Sequence, residues 1–277
     1  MATNNTMAVS IRNMTAELEK AKGKFAAGLP GNMAPSRFVR LALTVFAKTP
    51  RLHECDPSSF LGACMQAAQL GLEPGINAHL VPFRTKGGNT ACQLILDYRG
   101  LIKLALQSGM VGKFVARVVK AGDEFEMAYG LEDRLVHVPR WDSAGEARSS
   151  VGFYCVAHFT NPNVKPDFEF MTLEQVEAVR KRSKASGDGP WVTDYDAMAL
   201  KTVVKRICKR LPQSIELADA VRLDNDAETG TDQRNATLII PPDEYSEKVD
   251  IDPETGEVVP PPRSTAEKLA EKAKEGK

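Results

Sequence analysis

The spacing of apolar residues predicts a series of amphipathic helices along the chain. In residues 36–47, SRFVRLALTVFA, apolar positions recur at helical spacing and fall on one face. Asp56 followed by Pro57 is typical of a helix start, and Gly71 is typical of a helix end. Thr172 opens the sequence TLEQ, which matches a capping box. The predicted helices are Ala16 to Ala27, Ser36 to Ala47, Pro57 to Leu70, Tyr98 to Gln107, one beginning at Thr172, and Asp194 to Leu211.

Runs rich in β-branched and aromatic residues predict strands between these helices. Two of them, His79–Arg84 and Thr90–Asp97, flank the sequence TKGGN, which is typical of a hairpin turn. Helices beside a small antiparallel sheet and a β-hairpin define an α+β fold. Four or five further strands are predicted: Lys113–Lys120, Glu124–Ala128, Leu135–Val138, Gly152–Phe159 and Asp167–Met171.

The formal net charge of zero conceals two segments of opposite sign. Residues 1–212 carry 28 Lys and Arg against 20 Asp and Glu, whereas residues 213–277 carry 8 against 16. After Leu223 the chain is rich in Asp, Glu, Pro and Thr and poor in apolar residues, so burial cannot offset its ordering entropy. We therefore predict a folded core over 1–223 and an acidic, mostly disordered tail over 224–277, with a short helix at Thr265–Lys274.

The predicted helix at 194–211 carries a basic face. Three lysines recur every four residues and two arginines extend their ridge: Lys201, Lys205, Lys209, Arg206 and Arg210. The sequence has no acidic residue in this stretch, so the five charges repel one another unless an anion neutralises them. A merely solvated face usually mixes signs, and this pattern favours a polyanion. Lysine and arginine bind phosphates without reading bases, which predicts sequence-independent binding.

Signatures of catalysis are weak throughout the sequence. The five cysteines form no C-x-x-C pair and the four histidines lack metal-ligand spacing, so no metal site is predicted. The phosphate-binding pattern G-x-x-x-x-G-K-[ST] is absent, which argues against ATP use. Residues 166–169, PDFE, resemble part of a nuclease motif, but Phe170 stands where that motif needs lysine. We predict a non-enzymatic protein without a cofactor, and the sequence leaves open whether Mg²⁺ influences binding of the polyanion.

No apolar run reaches the roughly 18 residues that a membrane helix requires, and the N-terminal residues do not follow a signal-peptide pattern. The expected location is therefore the cytoplasm, without membrane association.

Four blocks of this sequence are distinctive: QLGLEPGINAHLVPF (69–83), LILDYRGLIKLALQSG (94–109), ARVVKAGDEFEMAYG (116–130) and GPWVTDYDAMALKTVVKRICKRLP (189–212). In their order and spacing they resemble the RecT family of phage-type recombinases. The resemblance implies a DNA-binding groove in an α+β fold, binding of single-stranded DNA, annealing of complementary strands, and a ring or helical filament as the oligomer. It also implies a 5′→3′ exonuclease and a host single-strand binding protein as partners, in a bacterial cytosol and encoded by a phage or prophage.

The resemblance also suggests which residues contact DNA. The family's basic C-terminal helix matches the five cations of residues 201–210, and Arg99 and Lys103 in the DYRGLIK block are the next candidates for phosphate contact. Arg117 and Lys120 are three residues apart on a predicted strand, so we expect only one of them to face the groove.

Two aromatic residues are candidates for base stacking or for the groove wall. These are Tyr98 and Trp191, although an aromatic residue after Gly-Pro is more often a packing anchor, which favours a structural role for Trp191.

The predicted function is ATP-independent binding and annealing of single-stranded DNA in homologous recombination, performed by an oligomer. Watson–Crick pairing supplies the specificity and driving force, while basic side chains reduce the repulsion between two strands. The alternative is a passive single-strand binding protein without annealing activity. A metal-dependent nuclease is a third and weaker possibility, because no carboxylate set for a metal is evident.

Overall fold

The computed structural model describes residues 2–85, 88–141, 148–183, 186–187, 189–212, 214–229, 231 and 233, all within a compact unit that spans Met1–Thr237. Its helices are α1 (Ala2–Lys20), α2 (Lys22–Gly28), α3 (Pro35–Lys48), α4 (Pro57–Gln69), α5 (Tyr98–Gln107), α6 (Leu173–Arg180), α7 (Pro190–Thr193), α8 (Tyr195–Cys208) and α9 (Ile215–Thr229), with a 3-10 turn at Pro50–Glu54. Its strands are β1 (Ala78–Arg84), β2 (Thr90–Leu96), β3 (Val111–Lys120), β4 (Glu124–Ala128), β5 (Arg134–Val138), β6 (Ser150–Phe159) and β7 (Asp167–Thr172).

The α+β class predicted from the sequence is confirmed. The pairs β1–β2 and β4–β5 are antiparallel hairpins, and β3, β6 and β7 form a three-stranded antiparallel sheet with β6 in the centre. Local signals act as predicted: the Asp56 side chain accepts a hydrogen bond from the Ser59 amide, and Thr172 forms the full capping box with Gln175. The first helix begins at Ala2, earlier than the predicted Ala16.

The three-stranded sheet has one face turned toward the helical core. On β6, Phe153, Cys155 and Ala157 are buried there, and the Cys155 thiol lies 3.6 Å from the Val203 carbonyl oxygen of α8. Because side chains alternate along a strand, the intervening residues of β6 point to the opposite, outer face.

The β4–β5 hairpin covers part of this outer face through aromatic contacts. Phe125 stacks on Phe170 of β7 with ring centroids 5.0 Å apart, and Tyr129 stacks on Phe168 at the same distance. Gly152 makes the first contact possible, because a Cβ atom there would lie 2.6 Å from the Phe170 ring. The hairpin thus rests on the β6–β7 half of the sheet.

Helix α9 was not predicted, and it extends the core past the expected boundary. Leu217, Leu223 and Ala227 are buried along its length, so the boundary placed after Leu223 lies inside a helix. Beyond it, the Gln233 side chain donates to the Leu94 carbonyl at 3.0 Å and accepts from the Leu94 amide at 2.9 Å, which satisfies the backbone of β2. The folded part therefore reaches at least Gln233.

The predicted tail spans 224–277, and its part from residue 234 onward lies outside the described residues, as does the short helix predicted at Thr265–Lys274. Among the helices that are described, none combines the length and apolar character needed to cross a membrane.

Candidate nucleic-acid interface

Two lysines of the predicted basic face are buried. Lys201 is 3% exposed and Lys205 is 8% exposed. Both reach the carboxylate of Asp224 on α9, at 2.6 Å from Lys201 Nζ to Oδ1 and 3.2 Å from Lys205 Nζ to Oδ2, and Lys205 also contacts Glu228 at 2.5 Å. The expectation that these lysines lie exposed on the surface is therefore wrong.

Asp224 has no exposed surface, so its ionisation depends on these two partners. Burial alone would raise the pKa of Asp224, but the charges and hydrogen bonds of Lys201 and Lys205 outweigh burial and hold its pKa below the usual value. The carboxylate thus stays charged at neutral pH and neutralises part of the lysine charge.

Arg206 of α8 and Arg210, which lies two residues past its end, are also paired, with carboxylates of β7. Arg206 Nε lies 3.0 Å from Glu169 Oε1, and Arg210 contacts both Asp167, at 3.1 Å, and Glu169. Burial lowers the pKa of Arg210, but its hydrogen bonds to the two carboxylates dominate and raise the pKa above its ordinary value. Their side chains remain about half exposed, at 51% for Arg206 and 47% for Arg210.

The inference that this helix lacks acidic partners is therefore wrong. The local sequence contains none, but β7 and α9 supply four carboxylates from other parts of the chain: Asp167, Glu169, Asp224 and Glu228. Lys209 is the exception in the predicted set, because it is exposed and has no ion pair among the residues that the structure describes.

The candidates on α5 differ in their exposure. Asp97 caps this helix by accepting a hydrogen bond from the Gly100 amide, which fixes the direction in which the following residues point. Arg99 is exposed, and its guanidinium carbon lies 5.7 Å from the centre of the half-buried Tyr98 ring. Lys103 is half-buried and donates to the Gly71 carbonyl at 2.7 Å, so this ammonium is held by the protein itself.

Arg117 and Lys120 of β3 have different surroundings. Lys120 Nζ lies 2.7 Å from Asp196 and 2.8 Å from Ser150 Oγ, whereas Arg117 is exposed without an ion pair in the described part of the chain. A register shift between Val119 and Lys120 accompanies this difference. The structure thus leaves one of the two, Arg117, free for an anion.

Trp191 is 3% exposed and packs against Tyr195 with ring centroids 5.8 Å apart. Its ring lies inside the protein, so it supports the start of α8. Of the two aromatic candidates, only Tyr98 keeps appreciable exposed surface.

The structure adds one cation to the candidate set. Lys113 is exposed on β3, on the same face as Arg117, and it has no ion pair within the described ranges. The sequence carries a signal for this pair, since residues four apart on a strand share a face, but two cations on a strand form a weaker pattern than the five at 201–210.

Comparison with known proteins identifies the family. Residues 36–239 match the model of the RecT family, which covers most of the folded part. The chain is 41% identical over 224 residues to Protein RecT of Escherichia coli (strain K12), covering 79% of this chain and 81% of that protein. It is also 29% identical over 190 residues to the uncharacterized protein YqaK of Bacillus subtilis (strain 168), covering 67% and 63% of the two chains. The chain belongs to the RecT family.

Proposed function

We propose that this protein binds single-stranded DNA and anneals complementary strands during recombination, without ATP and as an oligomer. The observation that carries the proposal is membership of the RecT family, with 41% identity across 224 residues to Protein RecT. Membership implies single-strand annealing in recombination, and identity of this extent over most of both chains supports a shared activity.

The free cations support a backbone-directed mode of binding. Arg99, Arg117 and Lys209 are exposed and form no ion pair among the described residues. Each of them can therefore bind a phosphate without first breaking an ion pair. Such contacts release counterions and bind any sequence, which suits a protein whose specificity comes from base pairing between the strands. Lys201 and Lys205 would have to leave Asp224 first, at the cost of a buried, unpaired charge.

Annealing requires two strands to approach despite their mutual repulsion. Phosphates that are neutralised on the protein lower this barrier, and pairing then releases enough free energy to drive the reaction, so nucleotide hydrolysis is unnecessary. One chain presents few free cations, and an oligomer in the form of a ring or helical filament would align many such sites along a strand. We further propose action in the bacterial cytosol, with a 5′→3′ exonuclease that exposes the strand and a host single-strand binding protein that occupies it.

A nuclease would need carboxylates available to hold a metal ion. The best candidates, Asp167 and Glu169, are engaged by Arg206 and Arg210, which compete with a cation for the same oxygens. This pairing disfavours the nuclease alternative.

An annealing assay separates the alternatives. Two complementary oligonucleotides, one with a donor dye and one with an acceptor, are mixed with the protein, with and without ATP and with and without Mg²⁺. We expect energy transfer to develop faster than for free DNA and independently of ATP, with both strands intact on a denaturing gel. Binding without acceleration would identify a passive single-strand binder, shortened strands would identify a nuclease, and an ATP requirement would contradict the proposal.

A further inference from the structure

A cavity lies between the β4–β5 hairpin and the outer face of the three-stranded sheet. Its volume is about 470 Å³, within the roughly 300–1,000 Å³ range typical of small-molecule sites. Leu135 of β5, Val156 of β6 and Phe168 of β7 supply apolar walls, and Leu131 and Pro166 extend them. Apolar walls of this kind suit an aromatic ring.

The hairpin covers the sheet on the β7 side and leaves the β3 side uncovered. Phe125 and Tyr129 rest on Phe170 and Phe168 of β7, so the hairpin is anchored at the far edge of the sheet. On the near edge, Lys113 and Arg117 of β3 remain exposed. The covered half of the sheet therefore borders an open half that carries positive charge.

Strand register places Lys113 beside the cavity and Arg117 farther along the same face of the sheet. Lys113 lies opposite His158, which lines the cavity, and Arg117 lies opposite Tyr154, farther along β6 on the same face. The two cations are four residues apart on one strand, a separation of about 13 Å at roughly 3.3 Å per residue. Lys165 adds a third cation at the cavity rim.

Few acidic groups line this cavity. The one carboxylate among the described lining residues is Asp133, and its Oδ1 accepts a hydrogen bond from the Gly130 amide at 2.8 Å. Neither Lys113 nor Lys165 nor Arg117 forms an ion pair with any described residue. The cations on this side of the sheet thus outnumber the carboxylate that lines the cavity, which favours a ligand that joins an aromatic ring to phosphates.

We propose that this cavity receives a base of the first DNA strand, while Lys113 and Arg117 hold the flanking phosphates along β3. This inference rests on the proposed function and assigns it a place in the fold. A base inserted beneath the hairpin would fix the register of the strand on the protein, and the neighbouring bases would stay outside and available for pairing. Base insertion of this kind contributes through stacking and burial, so it tolerates any sequence.

The charge part of the proposal is tested with the double variant Lys113→Ala/Arg117→Ala. Affinity for fluorescent oligo(dT) is measured across a series of salt concentrations. Removal of two phosphate contacts should lower the slope of log affinity against log salt by about 1.4, at roughly 0.7 per contact with a single strand. The matched control, Lys24→Ala/Lys48→Ala, removes two exposed charges from α2 and α3 and should keep the wild-type slope.

The cavity part is tested by photo-crosslinking on the unmodified protein, which does not depend on how a variant folds. Oligo(dT) that carries single 5-iododeoxyuridine substitutions is irradiated in complex with the protein, and the attached peptides are identified by mass spectrometry. We expect attachment within residues 130–135 and 156–168. Attachment elsewhere, together with an unchanged slope for the β3 variant, would overturn the inference while leaving the proposed function intact if wild-type annealing is observed. Failure of the wild-type protein to bind oligo(dT) would contradict both this inference and the proposed function.

Discussion

Asp224 determines how the most basic segment of this chain behaves. It has no exposed surface and lies between Lys201 and Lys205, whose side chains are nearly as deeply buried. A buried charge is tolerated only when it is paired, because the loss of hydration must be offset by the partner. The three residues therefore act as a structural unit, and a change in any one of them affects the stability of the fold.

The substitution Asp224→Asn should destabilise the protein strongly. An asparagine side chain has nearly the same shape as aspartate, yet the change would leave two buried lysines without their shared carboxylate, and breaking such a pair costs about 3–5 kcal/mol. The free energy of unfolding from urea titration measures the loss. The control Asp219→Asn removes a carboxylate from an exposed pair with Arg222 on the same helix and should cost no more than about 1 kcal/mol.

The sign of the pH dependence gives a second check on the same substitution. The pKa of Asp224 is lowered in the folded protein, so its contribution is present at neutral pH and lost as the pH falls through the folded pKa. We therefore expect the gap between wild type and the asparagine variant to narrow in acid. Equal stability of the two proteins at neutral pH would contradict the role assigned to Asp224.

At the scale of elements, α8 and the residues that follow it have charges in three different settings. The lysines at 201 and 205 are buried against α9, the arginines at 206 and 210 pair with β7, and Lys209 faces solvent without an ion pair in the described part of the chain. The helix thus joins the sheet to α9 through ion pairs, and its charge repulsion is relieved inside the protein. A nucleic acid is not needed to neutralise it.

Single substitutions in this basic segment should distinguish the buried, structural lysines from the exposed one. Lys205→Ala should lower stability by on the order of 3 kcal/mol and leave the salt dependence of DNA binding unchanged in protein that remains folded. Lys209→Ala should change stability by no more than about 0.5 kcal/mol and reduce the salt slope by about 0.7. Urea titration and oligo(dT) binding give the two quantities. The reverse pattern, with Lys205 controlling the slope, would place the DNA on the α8–α9 side.

At the scale of the whole molecule, the folded unit depends on residues beyond the predicted boundary. Asp224 and Ala227 are buried, and the Gln233 side chain bonds to the backbone of Leu94 and to the Leu223 carbonyl. This segment covers β2 on the side away from β1, where the amide and carbonyl of Leu94 would otherwise lack partners. The compact unit accordingly extends to Thr237.

Two truncations test this boundary. A chain that ends at Leu223 loses Asp224 and Gln233, and we expect it to be insoluble or to unfold without a cooperative transition. A chain that ends at Thr237 should unfold like the full protein in circular dichroism. Cooperative unfolding of the shorter chain with wild-type stability would show that the segment after Leu223 is dispensable.

The longer truncation also addresses the acidic tail. Residues 238–277 carry 10 Asp and Glu against 6 Lys and Arg, so their removal should leave DNA affinity equal or higher at low salt, and the difference should shrink as salt screens the charges.

Local structure could be read from the sequence because its causes are local. Asp56 and Pro57 start α4, and Thr172 and Gln175 form the capping box of α6, both where the spacing predicts. The α9 segment carried a similar signal, with apolar residues at 217, 220 and 223. Its acidic composition obscured this signal, because the helix places an aspartate at a buried position that normally holds an apolar residue.

Patterns along the chain are enough to establish the α+β class, the identity of most helices and strands, and the resemblance that leads to the RecT family. Which cations are free depends on the folded structure, since the carboxylates that pair with Lys205 and Arg210 lie 19 and 41 residues away along the chain. Periodicity describes which residues share a face of one helix, and it carries no information about what the fold brings against that face. Charge pairing falls off steeply with distance, so only three-dimensional proximity decides whether a basic residue is a structural partner or an exposed site for an anion.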